Sequence, residues 1–148
     1  MIVYPTTDYD SYISLANAEA YLATHLRVDE WDALATDVEK EVALQTAFRS
    51  LNGLDLSITF DDTGLLSSAA YTVTEQGKIL TALERAQCEQ ALHELKFDAD
   101  AQAVKSVSLG GSLSFTLNPG DEKPPRYSER ALSILRPYLR AKTVTRVR

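Results

Sequence analysis

Cysteine is nearly absent from this 148-residue chain: Cys88 is the only one. A single thiol excludes an internal disulfide and any zinc site built from several cysteines. Histidine is almost as scarce, with only His25 and His93, far apart and matching no metal-ligand spacing. No apolar run approaches the roughly 20 residues that a membrane-spanning helix requires. The first ten residues lack both a basic start and an apolar stretch, so they do not read as a secretory signal. Glycine is also thin. Gly110-Gly111 sits between two alternating runs and does not open a helix, so it is not a phosphate loop. No serine has glycines two residues to either side, which removes the nucleophile elbow of the hydrolases. Asp61-Asp62 lacks the alternating oxygen ligands and distal Glu of a calcium loop and reads as a turn. These gaps leave no catalytic constellation, no cofactor and no metal site, and the chain reads as a non-enzyme.

The rest of the composition is that of a single folded domain. Hydrophobic residues make up 45% and charged residues 24%, and a chain this long can bury a core without staples. Charge is unevenly spread. Residues 1–100 hold eighteen acids against six basic residues, whereas residues 101–148 hold three against nine. The last thirteen residues contain Arg136, Arg140, Lys142, Arg146 and Arg148 and no acid. The pattern is an acidic body with a basic arm.

Periodicity supplies the elements. Residues 1–13 read as an extended lead-in. Ser14 is an N-cap for a helix to about Leu26, with Leu15, Ala18, Leu22 and Leu26 on one face. Asp29–Leu34 reads as a short helical turn carrying Trp31. Thr36 with Glu39 forms a capping box that opens a helix to about Leu51, along which Leu44, Ala47, Phe48 and Leu51 recur at core spacing. Asn52-Gly53 then offers a left-handed stop. Leu54, Leu56, Ile58 and Phe60 alternate as a strand does, and Asp61 to Gly64 breaks the run. Residues 65–77 fit a loop or a loose hairpin. A second long helix is expected from about Leu80 to Leu95, with Cys88 buried on its apolar face, and a connection over Ala99–Gln102. Two alternating runs flank the glycine pair over 107–117, which is a β-hairpin signature. Asn118-Pro119-Gly120 and Pro124-Pro125 mark a loop. Ser128 caps a last helix with Ala131, Leu132, Leu135 and Leu139 inward, which Pro137 should kink or end. His25 and His93 fall near helix ends and read as surface or helix-end residues. The fold class expected is mainly α: a small helical bundle over residues 1–140 with a β-hairpin insertion, followed by an extended basic arm over 141–148.

Read in order, several segments resemble the head–tail connector (adaptor) proteins of tailed bacteriophages. SYISLANAEAYL (11–22) is similar to the opening helix motif of that family, and EWDAL followed by EKEVALQTAFRSLNGL (39–54) to its Trp and capped helix. ALERAQCEQALHEL (82–95) resembles its second long helix, VKSVSLGGSLSFTL its hairpin, and LRPYL (135–139) its closing segment. Two family features are missing: a Trp-Pro-Arg element, where this chain has DDTGLLSSAAYTV (61–73), and a proline before the second long helix, where it has Ile79-Leu80. The resemblance implies a structural subunit of the virion neck, assembled in the host cytoplasm into a ring of many copies, twelve-fold in the family. It implies a portal protein above, a further neck or tail protein below, and packaged DNA passing through without tight binding. An acidic body suits such a channel, since it does not hold phosphates. In that family the C-terminal segment grips the portal. The positions here are Tyr138 and Leu139 as apolar anchors and Arg140, Lys142, Arg146 and Arg148 as cations. A second class remains open. Relatives labelled DnaT-like single-stranded-DNA-binding proteins would make the basic C-terminal third a groove, with Tyr127 and Tyr138 as stacking platforms.

Overall fold

A computed structural model describes residues 1–26, 28–97 and 125–140 in full and the backbone of 98–109. Within these bounds the chain is mainly helical and holds no sheet, only isolated β-bridges. Its elements are α1 (Leu15–Leu22), α2 (Asp29–Asp32), α3 (Asp37–Leu51), α4 (Val73–Leu109) and α5 (Glu129–Leu135), the last followed by a 3-10 turn (Arg136–Tyr138). The hairpin expected over 107–117 falls mostly outside the described residues, and its first three positions close α4 instead. The loop at 118–120 and the arm over 141–148 also lie outside them.

Capping chemistry sets the helix starts. The Ser14 hydroxyl accepts from the Asn17 N–H, and Ser128 does the same for Ala131. Thr36 and Glu39 satisfy each other's backbone donors in a complete capping box. An equivalent exchange opens α4: the Thr72 N–H donates to Glu75, and the Glu75 N–H donates to the Thr72 hydroxyl. Here the expectation is corrected. The long helix starts at Val73, inside the stretch expected to be a loop or hairpin, and it runs through Ala99–Gln102, which was expected to connect. The first helix, by contrast, stops early. The Ala23 N–H closes it, and Leu26, expected on the core face, is fully exposed at 102%. Pro137 ends α5 as a regular helix at Leu135 and leaves a 3-10 turn.

Gly53 is not left-handed; the positive-φ residues among those described are Asp8 and Gly64. What Gly53 supplies is room. A Cβ there would stand 2.9 Å from the Tyr127 hydroxyl and 3.2 Å from the Ser50 carbonyl, so the end of α3 can approach the residues before α5.

Helix α4 is the spine. One side meets Tyr12, Phe48, Leu51, Leu66, Ala131 and Leu135 through Ile79, Leu83 and Ala86. Its other side meets Ile13, Ala18, Leu22, Trp31, Leu44 and Ala47 through Cys88 and Ala91. Cys88 is buried as expected of a packing thiol, and burial raises its pKa well above the usual thiol value. Two buried glutamines stand on the same helix. Gln87 accepts from the Tyr12 N–H and donates to the Ser11 hydroxyl and the Leu44 carbonyl, each at 2.8 Å. Gln90 accepts from the Ser128 N–H and donates to the Arg126 carbonyl. Gln87 thereby ties the N-terminus and α3 to α4, and Gln90 ties α5 to it. The lead-in is accordingly a closed loop, its backbone bonded from Tyr4 to Ser11 and from Asp10 to Ile2.

Candidate partner-binding surface

The segment 54–60 lies extended along the body. Leu54, Leu56, Ile58 and Phe60 are half-buried against the first core, while Asp55, Ser57 and Thr59 are exposed. This is the alternation that its sequence announces. The Ser57 N–H donates to the Tyr138 carbonyl at 2.6 Å and the Arg140 N–H to the Asp55 carbonyl at 3.0 Å, forming an antiparallel bridge between Leu56 and Leu139. At the other end Phe60 bridges Leu66: the Asp61 N–H meets the Leu65 carbonyl, and the Ser67 N–H meets the Thr59 carbonyl. The Asp61 carboxylate accepts from the N–H groups of Thr63 and Leu65 and from the Thr63 hydroxyl. These bonds hold the turn and keep its pKa below the ordinary carboxylate value. Tyrosines buttress the segment: Tyr9 donates to the Gly64 carbonyl, Tyr4 accepts from the Leu66 N–H, and Tyr71 accepts from the Thr59 N–H.

The residues expected to grip a partner divide at Arg140. Tyr138 and Leu139 are half-buried against the chain's own core, so their apolar surface is largely spent within the subunit. Arg140 is exposed, with its Nε 3.6 Å from an Asp55 oxygen. Lys142, Arg146 and Arg148 lie outside the described residues. Tyr127, the other stacking candidate, is half-buried, with the Arg126 guanidinium 5.4 Å from its ring.

A second surface lies on α3. Val38 and Val42, one turn apart, are 69% and 52% exposed. The Thr46 hydroxyl is bonded back to the Val42 carbonyl, which extends the low-polarity strip by a methyl group. Leu54, Leu56, Ile58 and Phe60, by contrast, pack against the subunit's own core.

Titratable groups gather at a third place, which sequence reasoning treated as surface. His25 is only 11% exposed, and its Nε2 is paired with the buried Glu89 carboxylate, which also accepts from the Tyr21 hydroxyl at 3.1 Å. The His25 Nδ1 lies 3.3 Å from the Tyr21 carbonyl. Both ring nitrogens face oxygen atoms, the Tyr21 carbonyl and the Glu89 carboxylate. Burial first, then the adjacent Glu89, pushes the Tyr21 hydroxyl up to about 12. The trio anchors the end of α1 to α4. Beside it opens a cleft of about 1020 Å³ whose walls carry both signs of charge, Asp29 and Glu30 against Lys96 and Arg130, with no single ligand chemistry implied. His93 Nε2 meets the Pro125 carbonyl at 2.6 Å. Among the described residues no three His, Cys, Asp or Glu side chains are grouped to hold a metal, and no helix is long and apolar enough to cross a membrane.

No protein-family model matches the chain, and no curated protein or solved structure matches it.

Proposed function

We propose that the chain is a non-enzymatic structural subunit of a phage neck, one copy in a ring that joins the capsid portal to the tail or next neck component. The observation that carries this reading is the way the chain leaves its body. After the core is filled, residues 138–140 are pinned beside 55–57, and the next eight residues, basic and free of acids, start from that fixed root. The order of the connector-like segments supports the same reading. So does the exposed pair Val38 and Val42, which leaves apolar surface for a neighbour. A hairpin turning at Gly110-Gly111 past the end of α4 and an extended arm over 141–148 belong to this proposal. In it, Arg140, Lys142, Arg146 and Arg148 steer the arm to an acidic portal surface, while Tyr138 and Leu139 fix its root. Packaged DNA passes an acidic body without being held.

Mass photometry and negative-stain imaging of the purified chain, alone and with its portal, test the reading. Rings or portal-bound assemblies are expected; a chain that stays monomeric with portal present rules the connector role out. The nucleic-acid alternative gains nothing from Tyr127 and Tyr138, both half-buried within the subunit. It predicts oligonucleotide binding that survives physiological salt, whereas the connector reading predicts weak binding that salt removes.

A further inference from the structure

Backbone groups in an extended segment point alternately to its two edges. Along 55–61 every backbone bond described above comes from the odd residues: Asp55, Ser57, Thr59 and Asp61. Both bridges therefore use the same edge. The N–H and C=O groups of Leu56, Ile58 and Phe60 form the other edge, and among the described residues they meet no protein group. Unpaired backbone groups of this kind are a template for another strand.

The chain carries a segment with matching chemistry. From Arg140 to Arg148 the sequence reads RAKTVTRVR. Its four cations all stand at even positions, and the odd positions hold Ala141, Thr143, Thr145 and Val147. Val144 is the one even position without a charge; the patterning is otherwise period-two, and the four β-branched residues, Val144 included, give the composition of a strand. Laid along the open edge, one face would set small and β-branched side chains beside Leu56, Ile58 and Phe60. Its other face would set cations beside the exposed Asp55, Asp61 and Asp62. Residues 54–66 contain those three acids and no basic residue. Eight residues extend about 26 Å, enough to cover the roughly 13 Å from Leu56 to Phe60.

The chain's direction decides whose edge is filled. Because 138–140 run antiparallel to 55–57, the backbone at Arg140 is directed past Asp55 toward Leu54, away from Phe60 and the open edge. We propose that residues 141–148 of one copy add as a β-strand to the Leu56–Phe60 edge of a second copy. Such a contact joins two different patches, so it propagates from copy to copy and closes into a ring when the rotation allows. The cations stay on the outward face, where a portal surface can reach them. Self-association by this route needs no portal, so it stands apart from the connector role.

The test is backbone amide exchange on the full chain over a dilution series, read by NMR, with mass photometry on the same samples. The Leu56, Ile58 and Phe60 amides are expected to exchange about tenfold more slowly in the concentrated sample. The Ser57 amide, already bonded within each copy, should not change. The T143P/V144P variant keeps every charge but removes one N–H from each edge of the arm, and it should lose both the slowing and the larger species. A synthetic 140–148 peptide should compete the larger species away. Protection that is equal at all concentrations, no protection at all, or a proline variant that associates normally would each overturn the proposal. Portal attachment is scored separately: wild-type chains that exchange strands but ignore portal remove the connector reading and leave strand exchange standing.

Discussion

The two sides of α4 solve the same burial problem by different means. On the α1–α2–α3 side, short helices satisfy their own backbone, and Ala18, Leu22, Trp31, Leu44 and Ala47 close over Cys88 and Ala91. On the other side, aromatic residues, an extended segment and the 138–140 root cover Ile79, Leu83 and Ala86. The helical side leaves mainly side chains to meet the outside. The extended side leaves main chain, because a strand paired on one edge still has another. A surface of side chains has to be matched group by group, whereas an open edge accepts any strand of suitable pattern. Among the described residues, unpaired main chain therefore sits where the fold used a strand as its cover.

Substitutions in the spine should break both sides together. Leu83→Ala removes a fully buried side chain from the first core and should cost about 3 kcal/mol, measured by urea unfolding. Gln87→Leu leaves the Tyr12 N–H, the Ser11 hydroxyl and the Leu44 carbonyl without their buried partner, at about 2 kcal/mol. The helical side alone is sampled by Thr36→Ala, which removes the α3 cap for about 1 kcal/mol.

Alkaline pH probes the seam between the sides. Cys88 and Tyr12 are raised mainly by burial, and Tyr21 by burial and Glu89. Each is more firmly protonated folded than unfolded. Their contribution is therefore complete below the unfolded values of 9.0 for the thiol and 10.0 for the phenols, and it is lost as pH climbs toward the folded values. The thermal midpoint should accordingly fall from about pH 9 upward. Cys88→Ala should delay the onset of that fall. The smallest effect is expected at the arm. Truncation after Arg140 keeps the Leu56–Leu139 bridge and should change unfolding by no more than about 0.5 kcal/mol while portal attachment is lost.

Capping chemistry made much of the helical side legible. Ser14, Thr36 and Ser128 marked their helices because a hydroxyl before an apolar period has one common use. Thr72 and Glu75 carried the same signal for α4, but the β-branched run around them and Gly77 masked it. The buried amides of Gln87 and Gln90 escaped notice because periodic templates count polar residues as outward. His25 escaped for a related reason: its partner Glu89 is 64 residues away, and only the packing of α1 on α4 brings them together. Leu26 illustrates the reverse error, since spacing places a residue on a face only while the helix lasts. At the candidate interface the alternation of 54–60 was readable. Which edge would be occupied was not, because that depends on where 138–140 returns.

The Gln87 clamp also sets a timetable for the nascent chain. Ser11 and Gln87 are separated by 76 positions, so at synthesis rates of about 5–20 residues per second the first tyrosines wait about 4–15 s for their partner. Ser128 follows Gln90 by another 38 positions, and the root of the arm comes later still. Through that interval Tyr4, Tyr9 and Tyr12 lack the completed α4, and for most of it the turn at Gly64–Leu66 as well. The acidic character of the first hundred residues keeps neighbouring nascent chains apart while those rings are uncovered. The basic residues from Arg136 onward emerge only after Gln87 and Gln90, when α4 can already be packed.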